Sequence, residues 1–66
     1  MNEHILQFFE YGHLPQVLAQ ISAPFKTLAE TIVMNVPNNT ERAISLRKLL
    51  EGKDAAVRAM IAKETP

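Results

Sequence analysis

Apolar side chains recur at alternating steps of four and three residues in the first half of the chain, and this spacing constrains the fold more than any other feature. The stripe consists of Leu14, Leu18, Ile21, Phe25, Leu28 and Ile32. Such a period places the side chains along one face of an α-helix. Pro15 suits the first turn, where a backbone N–H would be unpaired anyway. We therefore predict a helix over residues 14–36, with the stripe as core or subunit interface.

Pro24 falls inside this predicted helix. A proline there removes one backbone hydrogen bond and clashes with the preceding turn. Because the stripe continues in phase on both sides, we expect a kink between Ile21 and Pro24 rather than a break. Ser22 is a candidate to satisfy the carbonyl group that the proline leaves free.

The clearest turn signal is Val36-Pro37-Asn38-Asn39, since the residue before a proline avoids the helical region and asparagine favours turns and caps. After it we predict a second helix over residues 39–62. The apolar residues of this helix are Ile44, Leu46, Leu49, Leu50, Val57, Met60 and Ile61.

Two residues are candidates to cap the second helix. Asn38 stands three residues before Glu41, which is the spacing of a capping box, and Thr40 competes with it. Gly52 lies in the middle of the helix, where glycine costs about 1 kcal/mol relative to alanine. We interpret it as a place where another helix approaches closely.

Residues 1–12 precede the first helix as a short arm. Its apolar residues at helical spacing are Ile5, Leu6, Phe8 and Phe9. Asn2 is a candidate N-cap and Gly12 a natural stop for a short helix. The predicted fold class is therefore all-α: one domain over residues 1–66, with a short N-terminal helical arm and a kinked antiparallel helical hairpin.

The chain is too small to satisfy its own apolar surface. At 66 residues it leaves roughly 40% of its unfolded surface exposed. It has no cysteine for a disulfide, yet 47% of its residues are hydrophobic. The apolar residues of the second helix also cover too wide a face for one partner helix. We therefore expect an oligomeric helical assembly.

The balance of charge argues against some partners. Seven basic and seven acidic residues cancel, and a protein built to coat long nucleic acid would be basic. A small anionic ligand remains compatible with this balance. No apolar run approaches the roughly 20 residues that span a bilayer, and the N-terminus lacks the pattern of a secretory signal. We expect a cytoplasmic protein without a membrane partner.

Catalytic patterns are missing from the sequence. Serine and threonine residues lack a neighbouring base, the carboxylates are scattered as on solvated helix faces, and glycines are too few for a phosphate-binding loop. The two histidines have no partners at metal-ligand spacing. We predict a protein that is not an enzyme and that uses no cofactor or metal.

The residues with binding chemistry are Tyr11-Gly12-His13 and Lys26. A tyrosine ring can stack on a base, a glycine allows close backbone approach and an ammonium can meet a phosphate. Packing, capping and solvation explain the same residues without any ligand.

The basic residues of the second helix can also be explained either by ligand binding or by solvation. Arg42, Arg47, Lys48 and Arg58 could bind phosphates, but acidic residues are interleaved with them, as on a solvated face.

Four segments of the chain, in this order and spacing, resemble the small phage anti-CBASS sponge proteins. They read Tyr11-Gly12-His13-Leu14-Pro15, Ser22-Ala23-Pro24-Phe25-Lys26, Glu41-Arg42 and Leu46-Arg47-Lys48-Leu49-Leu50-Glu51-Gly52-Lys53-Asp54-Ala55-Ala56-Val57-Arg58-Ala59. The resemblance covers nearly the whole chain. It implies two antiparallel helices, the first kinked, in a hexamer of two interlocked trimers.

The resemblance also implies a function. Such proteins sequester the cyclic oligonucleotide messengers of bacterial defence without cleaving them, which places this chain in the cytoplasm of an infected bacterial host. Cyclic dinucleotides such as cGAMP would bind between paired protomers, with Tyr11 stacking on a base and Lys26 bonding a phosphate. Gly12 and His13 adjoin this site.

Cyclic trinucleotides would bind, on the same resemblance, at separate sites near the three-fold axes. Gly12 and His13 are also candidates there, together with Arg58. Arg42 and Asn39 are further candidates for phosphate contacts. A site that needs a longer C-terminal tail is expected to be altered in this chain, the trinucleotide site first.

Two other classes of function fit the residues. A small helical oligomeric regulator could bind RNA or DNA through the basic residues of the second helix, and its binding would be sensitive to salt. A protein-interaction module would use Tyr11 and Lys26 to hold a partner helix and would bind no nucleotide.

Overall fold

Each segment with helical spacing folds as a helix in the computed structural model, which describes residues 4–62. The arm contains a 3-10 helix, His4–Phe9, and two α-helices follow it: α1, Gln16–Asn35, and α2, Thr40–Ala62. No strand is present in this part of the chain. The all-α prediction is therefore confirmed for the described residues.

The first helix begins two residues later than predicted. Leu14 donates its backbone N–H to the Tyr11 carbonyl at 3.0 Å and so belongs to a turn. Pro15 is the N-cap rather than a first-turn residue, and its carbonyl accepts the N–H of Ala19 at 2.8 Å. The other end is at Asn35, because Val36 precedes a proline and is extended, with φ −102° and ψ 135°.

The helix α1 continues through Pro24. Pro24 and Gln20, whose carbonyl loses its partner, both lie on the exposed side, where water can take the place of the missing N–H. The predicted role of Ser22 is wrong. Its side chain is fully buried, and its Oγ has no hydrogen-bond partner among the described residues. The kink stays a prediction.

Asn39 caps α2. Its Oδ1 accepts the backbone N–H of Arg42 at 2.9 Å, and its carbonyl accepts the N–H of Ala43 at 3.1 Å. This is the N-cap geometry, in which the side chain reaches the N–H three residues on. Neither Asn38 nor Thr40, the two predicted candidates, fills that role.

The core lies where the arm, α1 and α2 meet. Its buried apolar residues are Phe9, Ala29, Val33 and Leu46. On α1 the buried line is Ser22, Ala29 and Val33, one residue away from the predicted stripe, and Leu28 of that stripe is 48% exposed. Because the arm and α2 both pack on α1, small side chains occupy its central line and the larger ones flank it.

The two α-helices pack against each other along their length. Arg42 meets Val33 next to the turn, and Gly52 faces Phe25 farther away from it. A Cβ added at Gly52 would lie 3.7 Å from Cε1 of Phe25, which is ordinary van der Waals contact. Another helix therefore does lie next to Gly52, as predicted, but the distance between the two helices leaves room for a larger residue than glycine.

The arm differs from the predicted short α-helix. Its helix is of the 3-10 type and ends at Phe9, three residues before the predicted stop at Gly12. A segment this short gains little from α-helical hydrogen bonds, and the burial of Phe9, which is 0% exposed, holds it in place. The predicted cap Asn2 lies outside the described residues.

Many large apolar side chains remain at the surface. They are Phe8, Val17, Leu28, Met34, Val36, Ile44, Met60 and Ile61, each at least 40% exposed. They lie on all three helices and in the turn rather than on one element. Across residues 4–62, no helix is both long and apolar enough to pass through a bilayer.

Candidate functional site

Lys26 and Tyr11 come together in the fold although they are distant in sequence. The Nζ atom of Lys26 lies 5.6 Å from the centroid of the Tyr11 ring. This is within the range of a cation–π contact, which extends to about 6 Å. Both side chains are half-buried, so each keeps a surface that a ligand can reach.

The arm and its turn place Tyr11 beside α1. Phe9 is anchored in the core, and the hydrogen bond from Leu14 to Tyr11 closes the turn that leads into the helix. Lys26 lies two residues after the exposed Pro24 on α1, and its ion pair with Glu10 places it beside the arm. The position of Tyr11 relative to Lys26 therefore depends on the packing of the arm.

Glu10 pairs with Lys26. The ammonium donates to Oε1 of Glu10 at 3.2 Å and lies 3.1 Å from Oε2. This hydrogen bond raises the pKa of Lys26 above its ordinary value of 10.5, against the opposing effect of burial, and the charges of Glu10 and Glu30 act in the same direction as the bond. Lys26 is therefore a cation at neutral pH.

Gly12 is an exposed residue of the turn between the arm and α1. A Cβ at this position would meet nothing within 4 Å, and the backbone is outside the left-handed region. Neither space nor backbone conformation within one chain therefore requires glycine here. A requirement, if it exists, comes from a ligand or from another copy of the chain.

His13 and Arg58 meet at one concavity of about 340 Å³. They come from the turn after the arm and from the last part of α2. The polar and aromatic side chains around it are Gln7, Phe8, Glu10, His13, Lys53, Asp54 and Arg58. Tyr11 and Lys26 do not line this concavity. The predicted residues therefore lie in two neighbouring places, and Glu10 contributes to both.

Lys53 is a functional candidate that sequence analysis missed. Its side chain is 10% exposed, and its Nζ lies 3.1 Å from Oδ1 of the half-exposed Asp54. A buried ammonium is uncommon in so small a fold, because lysine is almost never buried without a partner. Its position on the inner face of α2, eleven residues after Arg42, is the sequence signal that could have identified it.

Glu10 was also missed as a site residue. It had been assigned to the scattered carboxylates of solvated faces, and 57% of its side chain is in fact exposed. Its pairing with Lys26 arises from tertiary packing of the arm, so no short-range spacing in the sequence predicts it.

Arg42 and Asn39 are engaged in the fold at the turn. Arg42 is 4% exposed, and its Nη1 donates to the carbonyl groups of Val33 at 3.1 Å and Val36 at 3.2 Å. Asn39 uses its Oδ1 for the cap of α2. Their predicted phosphate contacts stay predictions, and both residues have a structural role that the sequence did not suggest.

Among residues 4–62, no three histidine, cysteine or carboxylate side chains converge as a metal site requires. The polar groups around the two places are ammonium, guanidinium and carboxylate groups, one phenol, one imidazole and one amide. Their chemistry suits ion pairing, hydrogen bonding and stacking.

Comparisons with protein-family models, with curated proteins and with solved structures found no match. What bears on function is therefore the arrangement of this chain's own side chains. A lysine is held over a tyrosine ring, a carboxylate pairs with that lysine, and a concavity with two further cations, Lys53 and Arg58, lies beside them.

Proposed function

We propose that this protein binds cyclic oligonucleotide second messengers and sequesters them without cleavage, as the anti-CBASS sponge proteins that its sequence resembles do. The observation that carries the proposal is the contact between Lys26 and Tyr11. Sequestration would keep the immune effectors of the bacterial host inactive. The protein would act as a binder rather than as an enzyme.

The two side chains match the two chemical parts of a cyclic dinucleotide. The exposed surface of the Tyr11 ring can stack on a base, and the Lys26 ammonium can form a charge-assisted hydrogen bond to a phosphate. A nanomolar dissociation constant corresponds to about 12 kcal/mol. Two stacked bases supply about 1 to 3 kcal/mol each, so phosphate contacts and a preformed pocket must provide the rest.

A shared pocket follows from the symmetry of the ligand. A cyclic dinucleotide has two bases and two phosphates related by an approximate two-fold axis, and paired protomers offer Tyr11 and Lys26 twice in the same relation. We therefore include a homo-oligomer, a hexamer of kinked antiparallel hairpins, in the proposal. The large exposed apolar side chains, such as Leu28 and Ile61, support an assembly that covers them.

Cyclic trinucleotides are assigned to the concavity that holds His13 and Arg58. Besides Arg58 it holds a second cation, Lys53, and an exposed aromatic ring, Phe8. Cations and a ring that can stack on a base are the groups that such a ligand needs. In an assembly, copies of this concavity would be brought together around a symmetry axis.

Titration calorimetry of the purified protein with cyclic dinucleotides and trinucleotides tests the proposal. We expect nanomolar uptake and recovery of intact ligand after the protein is denatured by heat. Light scattering on the same sample gives the mass of the assembly. Altered ligand would indicate an enzyme, salt-sensitive uptake of long RNA or DNA would indicate a nucleic-acid regulator, and no uptake would favour the protein-interaction module.

Substitutions assign the site. Tyr11→Ala and Lys26→Ala should each abolish dinucleotide uptake and leave the mass of the assembly unchanged, whereas Tyr11→Phe should retain stacking. Lys48→Ala is the matched control, because Lys48 is an exposed lysine of α2. Normal binding by both alanine variants would show that the site lies elsewhere.

Gly12→Ala separates ligand effects from folding effects. The added methyl group meets nothing within one chain, so the stability of the fold should not fall. A loss of dinucleotide uptake with an unchanged thermal midpoint would place Gly12 against the ligand or against a second protomer. Unchanged uptake would remove Gly12 from the site.

A further inference from the structure

We propose that Glu10 is a third residue of the Tyr11–Lys26 site, and that it acts as a counter-charge which the phosphate of a ligand must displace from Lys26. This inference rests on the proposed function. The inference adds Glu10 to the binding site as a residue that weakens ligand binding and so helps to set the affinity.

The geometry of the pair leaves little of the ammonium for a phosphate. Both carboxylate oxygens of Glu10 lie within hydrogen-bonding distance of Nζ, at 3.1 and 3.2 Å, and the centroid of the Tyr11 ring lies 5.6 Å from the same atom. An ammonium has three N–H donors. A phosphate that reaches Lys26 therefore competes with a carboxylate of the same charge for the same donors.

Displacement of Glu10 is feasible because the two partners differ in exposure. The side chain of Lys26 is 26% exposed and is held against the protein, whereas that of Glu10 is 57% exposed. The carboxylate can therefore move into water while the ammonium remains beside Tyr11. Exposed ion pairs of this kind are weak and are readily replaced.

The released carboxylate also has cations near it. Glu10 lines the concavity that contains Lys53 and Arg58, with Asp54 as the opposing negative charge there. The charges that act on Lys26 are Glu10 itself, from the arm, and Glu30, from α1. Movement of Glu10 away from Lys26 thus exchanges one cation for others rather than leaving the carboxylate in a negative field.

The proposal differs from two other roles of a carboxylate in such a site. If Glu10 mainly positioned Lys26 over the ring, its removal would weaken binding of every ligand. If Glu10 accepted hydrogen bonds from a guanine base, its removal would weaken binding of guanine ligands alone. A counter-charge predicts tighter binding for all ligands that place a phosphate at Lys26.

The experiment compares wild-type protein with Glu10→Gln by calorimetric titration with cyclic di-GMP and with cyclic di-AMP. We expect the variant to bind each ligand more tightly, by about two- to fivefold per phosphate, which is the range of a partly exposed ion pair. The effect applies twice when one ligand meets two copies of the site. Glu51→Gln, which removes an exposed carboxylate of α2, is the matched control and should change nothing.

The outcomes separate this inference from the proposed function. Weaker or equal binding of both ligands by Glu10→Gln overturns the counter-charge, and weaker binding of cyclic di-GMP alone shows that Glu10 contacts the base. Failure of wild-type protein and variant to bind either ligand, with both shown to be folded by circular dichroism, overturns the proposed function and the counter-charge together.

Discussion

A buried cation at the turn, Arg42, and a half-buried cation beside the arm, Lys26, are held in different ways. At the turn, Arg42 is 4% exposed and donates to the carbonyl groups of Val33 and Val36, which belong to the backbone itself. At the arm, Lys26 is held by the side chain of Glu10, most of which is in water. Backbone carbonyls cannot leave their cation, whereas an exposed carboxylate can. Arg42 therefore stabilises the fold, and Lys26 is available to a ligand.

The same difference extends to other buried polar groups. At the turn between α1 and α2 the polar groups have hydrogen-bond partners, as at the cap of α2, where Asn39 accepts the N–H of Arg42. Toward the arm, Ser22 is fully buried without a hydrogen-bond partner among the described residues, and Lys53 depends on the half-exposed Asp54. Buried polar groups without good hydrogen-bond partners are unusual in the core of a folded protein. Ser22 lies one helical turn before Lys26, and Lys53 lines the concavity that Glu10 also lines.

The largest expected effect tests the structural side of this contrast. Arg42→Met leaves two carbonyl groups at the end of α1 without their donor, and a charged hydrogen-bonding group in the core is lost. We expect the free energy of unfolding to fall by about 2–4 kcal/mol, and Tm to fall by about 10–25 °C in a domain of this size. Thermal unfolding followed by circular dichroism measures both.

The control for Arg42 is Arg47→Met, because Arg47 is exposed on the same helix. It should change the free energy of unfolding by no more than about 0.5 kcal/mol. Below its lowered Tm, Arg42→Met should still take up ligand in proportion to its folded fraction. A variant of normal stability that binds no ligand would reverse the assignment and make Arg42 a phosphate contact.

The next effect concerns the poorly satisfied polar group of α1. Ser22→Ala removes a buried hydroxyl that lacks a partner and introduces a better helix former. We expect the variant to gain about 1–2 kcal/mol in the free energy of unfolding, measured by urea titration. A loss of stability instead would show that Ser22 has a partner in the assembled protein. Thr27→Ala, at an exposed position of the same helix, is the control.

Gly52→Ala is expected to have a smaller stabilising effect. The added methyl group would stand at 3.7 Å from Phe25, so it fits without movement, and alanine favours the helix by about 0.5–1 kcal/mol. Ala55→Gly on the exposed face of α2 should lose a similar amount, which measures the helix propensity alone. Destabilisation by Gly52→Ala would indicate that another protomer packs at Gly52.

The helices were predictable because their determinants are local. Apolar spacing, Pro15, Pro37 and the asparagines of the turn predict two long helices whose ends are within two residues of those in the structure. The buried line of α1 was displaced by one residue, because the stripe does not reveal that two partners, the arm and α2, share this helix. The choice of Asn39 as the cap depends on a side-chain geometry that spacing alone cannot resolve.

The candidate site was predictable in its residue types but not in its pairings. Tyr11 and Lys26 were chosen for their chemistry and by the resemblance, and the fold brings them into contact. The partner Glu10 was missed, because the arm must first fold onto α1 before Glu10 can reach Lys26. Tertiary contacts between distant segments leave no periodic trace in one sequence.

The smallest expected effect concerns the pH dependence of the Glu10–Lys26 pair. Because Glu10 raises the pKa of Lys26 above 10.5, the pair stabilises the fold fully below that pH and loses its contribution as the pH rises through the folded-state pKa. Wild-type protein should therefore be slightly more stable than Glu10→Gln at about pH 8, and the difference should shrink by about pH 11.5. Urea unfolding midpoints at both values measure it. The deficit of Arg42→Met should persist at both, because a guanidinium keeps its proton in proteins. Equal deficits of Glu10→Gln at the two pH values would mean that Glu10 stabilises the arm by contacts other than its pair with Lys26.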